Sequence, residues 1–308
     1  MNYVKEFLAD MGALSAVTRK KYEEHIERFI DYANATGENT RHVTPADLYR
    51  YREFLISSEL SANSVYGYLF AVRRFYSWMH EMGYMETNIT HRLNIPKREN
   101  LYTRGHLTVD QARDLIRTMP QDSLIEKRNY TMVCLMLIAG LRCVEISRLN
   151  ICNIKAENGI YFIEIIRKGH LFTERLGINK RMWDQLHAYL AARDDDRGDK
   201  SPAFVTHQKK RNARLTPDRV GRIIRSILIS SGLKTEEITA HSLRHTAAVT
   251  ALDMGVQIYD IKVLLGHSSV KITEMYQRSR DAERLLENPI SDQISALLFG
   301  DEKPAKNE

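Results

Sequence analysis

The sequence predicts a mainly α-helical chain with a small β-sheet, divided into an all-helical N-terminal domain and a mixed α/β second domain. Three observations lead there. Apolar residues recur at helical spacing through the first 93 positions, and the stretch at 94–106, NIPKRENLYTRGH, breaks that periodicity with Pro96 and the basic Lys97, Arg98 and Arg104. One later segment, GIYFIEIIRKGHLFTERLGI at 159–178, alternates apolar and polar residues on both sides of Lys168-Gly169, as a β-hairpin does. With 308 residues, 43% of them hydrophobic, the chain can bury one large core or two smaller ones.

Taken in order, residues 15–35 place Tyr22, Ile26, Phe29 and Ile30 on one helical face, with Ser15 or Thr18 as the N-cap. A second helix is expected at about 45–58, where Thr44 caps and Pro45 takes the first helical position. A third runs from about Ser61 to Met82 with Val65, Leu69, Val72, Phe75, Tyr76 and Met79 inward, leaving Arg73 and Arg74 to the other side. After the linker at 94–106, helices resume at 108–119 and 124–139, the latter ending at Gly140. Beyond the hairpin come a helix near 180–192, a polar loop, a short AFVT strand at 203–206 and a helix introduced by Thr216-Pro217.

Composition bounds the setting. Lys plus Arg number 45 against 39 Asp plus Glu, a net charge of +6 that permits nucleic acid as a partner without requiring it. Lys5, Glu6 and Asp10 interrupt the N-terminus where a secretory signal needs an apolar core, and the run at 132–140 falls short of the roughly 20 residues of a membrane span. A cytoplasmic protein with no membrane partner is expected. Cys134, Cys143 and Cys152 show no CxxC pair or zinc spacing, so they read as reduced cysteines in or near a core.

Three segments carry chemistry. In HSLRH at 241–245, His241 and Arg244 are three apart on one helical face, while Leu243 and Ala247 turn to the core. His245 is four from His241, but the glutamate of an HExxH metal motif is absent and no third ligand has suitable spacing, so no metal is assigned. In LLGHSSVKITEMY, Gly266 stops one helix, His267 sits at the junction and Tyr276 comes on the next. In IAGLRCVEISRLN, Arg142 lies in an apolar frame, where its charge needs an anion or a carboxylate, and Glu145 stands three residues on. Together two arginines, Lys168 at the hairpin tip, two histidines and a tyrosine supply what phosphodiester cleavage requires without metal or other cofactor. Arginine forks neutralise the non-bridging oxygens, a lysine or histidine protonates the leaving oxygen, and a tyrosine hydroxyl is the nucleophile.

These blocks resemble the tyrosine recombinase/integrase family in order and approximate spacing: GLRCVEI, Lys168 in the hairpin, HSLRH, Leu265-Gly266-His267 and Tyr276. The resemblance covers almost the whole chain. It implies a helical core-binding (SAM-like) domain at 1–93, a catalytic domain at 107–287, and a C-shaped clamp on double-stranded DNA carrying an inverted-repeat core site. It also implies Arg142 and Arg244 on the scissile phosphate with His241 and His267 assisting, Lys168 as general acid, and Tyr276 forming a 3′-phosphotyrosine on the way to a Holliday junction. A segment at 288–308 would couple protomers into a tetramer on DNA from free monomers, with an accessory factor compatible with the plan. Arg278 stands where many relatives carry a histidine, a departure that concerns fine tuning and not the nucleophile.

Other basic residues are candidates for phosphate contact: Arg19, Lys20, Arg73, Arg74, Lys97, Arg98, Lys209, Lys210 and Arg211. The compact plan fits a chromosome-dimer resolvase, a phage integrase or a mobile-element recombinase, and TAHSLRHTAA with the ENPISDQI tail leans to the last. The competing readings are type IB topoisomerase-like relaxation and a DNA-binding relative without catalysis.

Overall fold

The computed structural model describes residues 3–37, 43–97, 105–167, 172–193, 198–207, 212–266, 269–270, 273–274, 277–278 and 281. The chain divides into two compact units, Met1–Leu101 and Tyr102–Glu308.

The first unit holds helices α1 (Tyr3–Asp10), α2 (Ala16–Ala35), α3 (Pro45–Ser57) and α4 (Ala62–Glu81). Each start after α1 is chemically marked: Ser15, Thr44 and Ser61 are in extended conformation and their hydroxyls accept the N–H three residues on. The apolar stripes meet around Phe29, whose ring packs edge-on to Tyr51 at 4.9 Å and to Tyr76 at 5.7 Å. The sequence reading left α1 unassigned, because eight residues with Lys5, Glu6 and Asp10 show little periodicity; Phe7 nevertheless buries against Phe75 and Trp78.

In the second unit, α5 (Val109–Thr118) and α6 (Leu124–Ile138) lead to the short α7 (Cys143–Arg148). A three-stranded antiparallel meander follows: β1 (Ile154–Glu157), β2 (Ile160–Ile166) and β3 (Thr173–Gly177), in the order β1-β2-β3. Then come α8 (Lys180–Ala191), α9 (Pro217–Ser230), α10 (Ala240–Asp253) and α11 (Ile258–Leu265). Helix α6 is the spine. Every residue from Tyr130 to Leu137 is buried, so it must be covered on all sides, and α5, α8, α9 and α10 do so. Gly140 then turns the chain with φ +63°, where a Cβ would also overlap Leu265. The entry to this unit lies along α10: the His106 ring is edge-on to the buried His245 at 5.1 Å, and the Leu107 N–H donates to the Thr246 hydroxyl at 2.9 Å.

One expectation is extended and one corrected. The predicted hairpin is β2–β3, and the tight Asn158-Gly159 turn adds β1 to it, with Ile154 opposite Ile163. The expected AFVT strand is replaced by two isolated bridges, Asn150–Pro202 and Val205–Arg214, although Ala203, Phe204 and Val205 are fully buried. Short apolar runs mark burial more reliably than they mark strand pairing. Among the described residues no helix is long and apolar enough to cross a membrane.

Asp47 gives the first unit a pH-dependent clamp. Burial opposes its ionisation, but the Thr44 N–H and hydroxyl donate to its Oδ2 at 2.7 and 2.8 Å and Arg50 pairs with Oδ1, holding the carboxyl below its ordinary value of 3.8. A carboxyl depressed on folding stabilises above its unfolded value, and that contribution is lost as pH falls through the folded one. We expect Trp78 fluorescence, in a Trp183→Phe background, to show the unit losing urea resistance below about pH 4. Asp47→Asn should be less stable at pH 7 with a flatter acid limb; a parallel limb would show that another group controls it.

Candidate active site

The site is built around one carboxylate. Gly140 ends α6, Arg142 takes the N-cap of α7 in extended conformation, and Glu145 falls at its third position. Glu145 therefore reaches back, accepting the Arg142 N–H on Oε2 and the Arg142 Nη1 on Oε1, both at 2.8 Å. Its side chain is fully buried, and two further guanidinium groups approach Oε2: Arg167 Nη1 at 3.5 Å and Arg244 Nη1 at 4.0 Å.

The same arginines converge on the C-terminal end of α11, whose last carbonyls have no helical partner. Arg167 Nη2 donates to the Leu264 carbonyl at 2.7 Å, and Arg167 Nη1 and Arg142 Nη1 reach the Leu265 carbonyl at 3.3 and 3.4 Å. Arg142 Nη2 donates to the Gly266 carbonyl at 3.4 Å. Arg244, from α10, donates to the carbonyls of Gly140 and Leu265. Gly266 caps α11 with φ +57°, and a Cβ there would fall inside the Arg167 side chain.

Charge decides what the cluster can do. Among the described residues, three guanidinium charges, from Arg142, Arg167 and Arg244, face two carboxylates, Glu145 and the Glu174 that receives Arg167 Nε at 3.4 Å, leaving one positive charge in excess among them. The negative end of α11 offsets about half a charge. A surplus held by planar forks suits an anionic oxygen, particularly one on phosphate. Arg142 is the member that faces solvent, its side chain 23% exposed against 1% for Arg167 and for Arg244.

Of the sequence-predicted site residues, the structure brings together Arg142, Glu145 and Arg244. His241 stands half-buried in the first turn of α10, one turn ahead of Arg244. Lys168, His267 and Tyr276 lie outside the described residues, as do Arg98, Lys209, Lys210 and Arg211. Arg167 was missed by the sequence reading, which singled out only its neighbour Lys168 in the hairpin. The available signal was the period of two: Ile163, Ile165 and Arg167 are all buried, so the arginine continues the inward face of β2. Among the remaining candidates Lys20, Arg74 and Lys97 are exposed, and Arg19 is half-buried with a 3.4 Å bond to the Gly12 carbonyl. Arg73 corrects the expectation of an outward pair, because its guanidinium turns back to the Leu93 carbonyl. Cys143, next to Arg142, packs against the core, and burial pushes its thiol pKa up.

A small helical unit thus precedes a helical unit that carries a three-stranded meander and an arginine cluster. The phage integrase family profile matches residues 106–283, and the phage integrase N-terminal SAM-like domain matches residues 4–83. The chain belongs to the phage integrase family, the tyrosine recombinases, enzymes that cleave and rejoin DNA. It is 32% identical over 188 residues to tyrosine recombinase XerA of Pyrococcus furiosus, spanning 61% of this chain and 61% of that one. To tyrosine recombinase XerD of Rickettsia bellii it is 24% identical over 306 residues, 94% of this chain and 99% of the relative. The fold resembles the XerH site-specific recombinase bound to palindromic difH substrate, with a TM-score of 0.73 at 18% identity over 92% of this chain and 84% of that one. It also resembles a lambda integrase dimer bound to a COC′ core site, with a TM-score of 0.66 at 15% identity over 89% of this chain and 75% of that one.

Removing the central carboxylate should be costly, because a buried charge cluster deprived of one partner loses about 3–5 kcal/mol. Glu145→Gln is expected to lower the denaturant midpoint of the second unit accordingly and to abolish DNA cleavage. A midpoint within error of the unaltered chain would show that the cluster does not depend on Glu145.

Proposed function

We propose that the chain is a site-specific recombinase that exchanges strands between two duplexes through a covalent 3′-phosphotyrosine and a Holliday junction. Arg142 and Arg244 neutralise the non-bridging oxygens of the scissile phosphate, while His241 and His267 hydrogen-bond it and assist proton transfer. The Tyr276 oxygen bonds to phosphorus as the bond from phosphorus to the 5′-oxygen breaks. The electron pair leaves on that oxygen, which takes a proton from Lys168. The phosphodiester energy is held in the phosphotyrosine link, so a 5′-hydroxyl from the partner strand can reverse the step without ATP.

The observation that carries this reading is the surplus positive charge of the Glu145-centred cluster, held against the residue that precedes His267. The partner is double-stranded DNA with an inverted-repeat core site, gripped in part through Arg19, Lys20, Arg74, Lys97, Arg98 and residues 209–211. Monomers assemble there into a tetramer through the segment 288–308, with an accessory factor compatible with the assembly. The palindromic substrate of XerH and the core-site dimer of lambda integrase support a two-fold arrangement at each site.

Incubated without metal on nicked duplexes bearing candidate sites from the flanks of its own gene, the unaltered chain should form a protein–DNA adduct on denaturing gels. Tyr276→Phe should form none while binding equally well; adducts of equal yield would name another nucleophile. Replacing Lys209, Lys210 and Arg211 by glutamine should flatten the salt dependence of binding, reducing the log–log slope by about two to three. An unchanged slope would remove that stretch from the interface.

A further inference from the structure

We infer that Arg167 is a positioning residue for the cleavage step: its buried guanidinium ties the end of β2 to the C-terminal end of α11, fixing where the chain delivers Lys168 relative to His267. The inference rests on the roles proposed above for those two residues, which follow Arg167 and Gly266 directly in the chain.

Four acceptors on three different elements hold this one side chain. The Leu264 and Leu265 carbonyls end α11, Glu145 belongs to α7, and Glu174 lies on β3, opposite Ile165 of β2. The strand's own backbone makes β2 the element being tied. Arg167 thus fastens both strands of the hairpin to the helix end that runs into Gly266-His267. Gly266 is shaped to the arrangement, since any side chain there would occupy the space of the Arg167 stem and guanidinium.

An arginine is an expensive choice for this place. Arg167 and Arg244 are the largest fully buried side chains of the described chain, and an apolar residue continuing the face of Ile163 and Ile165 would avoid the desolvation cost. What an apolar residue lacks is direction. Five N–H groups in a rigid plane specify the angle as well as the distance to several acceptors, which a lysine's point charge does not. A general acid transfers its proton efficiently only when held within about 0.5 Å of the productive position. Lys168 follows directly on Arg167 in the chain, so the buried Arg167 tie holds the backbone immediately ahead of it.

The test separates general-acid work from folding by changing the leaving group. In an ordinary duplex the 5′-oxygen needs a proton as it leaves; in a duplex with a 5′-bridging phosphorothiolate the electron pair stays on sulfur as a thiolate, and no proton is required. Arg167→Met should slow single-turnover cleavage of the oxygen duplex by about 10²-fold, the usual worth of a positioned acid. On the phosphorothiolate duplex its rate should return close to that of the unaltered chain. Arg167→Lys should fall between the two. Glu174→Gln weakens the link to β3 at a partly exposed side chain, so it carries the same test, with a smaller effect, should Arg167→Met not fold. Equal slowing on both duplexes, with duplex binding retained, overturns the inference and leaves Arg167 a structural residue. Lys168→Ala is the control: if it too is slowed equally on both duplexes, the general-acid assignment has failed and the inference falls with it; if sulfur rescues Lys168→Ala alone, only the part given to Arg167 is refuted.

Discussion

Everything at the centre of the second unit depends on the buried carboxylate of Glu145. Without it three guanidinium groups, two of them sealed from water, would crowd together, and their repulsion would have to be relieved by moving a strand end, a helix or the α6–α7 turn. With it, the N-terminus of α7, the end of β2, the first turns of α10 and the C-terminus of α11 meet at one place. The carbonyls left over where α11 stops complete the set of acceptors, so the end of a helix serves as part of the electrostatic frame.

The arrangement also divides labour between the arginines. Arg244 and Arg167 direct their planes at backbone carbonyls and are sealed from solvent, whereas Arg142 has an edge toward water. A phosphate arriving from outside therefore first meets one partly exposed cation backed by two buried ones, in a region whose donors are already oriented by carboxylate and carbonyl acceptors. Preorganisation of this kind lowers the reorganisation needed when charge develops on the phosphorus oxygens.

Much of this was legible in the sequence because the marks are local. The caps Ser15, Thr44, Ser61, Thr108 and Thr216 announce their helices, and the pairing of Arg142 with Glu145 follows from a spacing of three. The missed features depend on the fold. Helix α1 is too short and too charged to show its single buried face, and the AFVT run is buried without finding a ladder partner. Arg167 looks like turn chemistry in one dimension, and only the β2 register, with Ile166 opposite Thr173, reveals that it still belongs to the inward face. Arg73 was assigned by helical phase, which says where a side chain starts but not that a long one bends back to a carbonyl twenty residues away.

The segment that enters the second unit has a consequence for how that unit can stand alone. Gly105 packs on Ile238, whose side-chain end a Cβ would have to displace; His106 covers His245, and the Leu107 amide is held by Thr246, two residues from Arg244 on the same helix. Those three residues therefore act as the lining of α10 rather than as connecting chain. A catalytic unit expressed by itself has to begin before Gly105, since a later start would flood the back of the arginine-bearing helix with water and strip Thr246 of its donor.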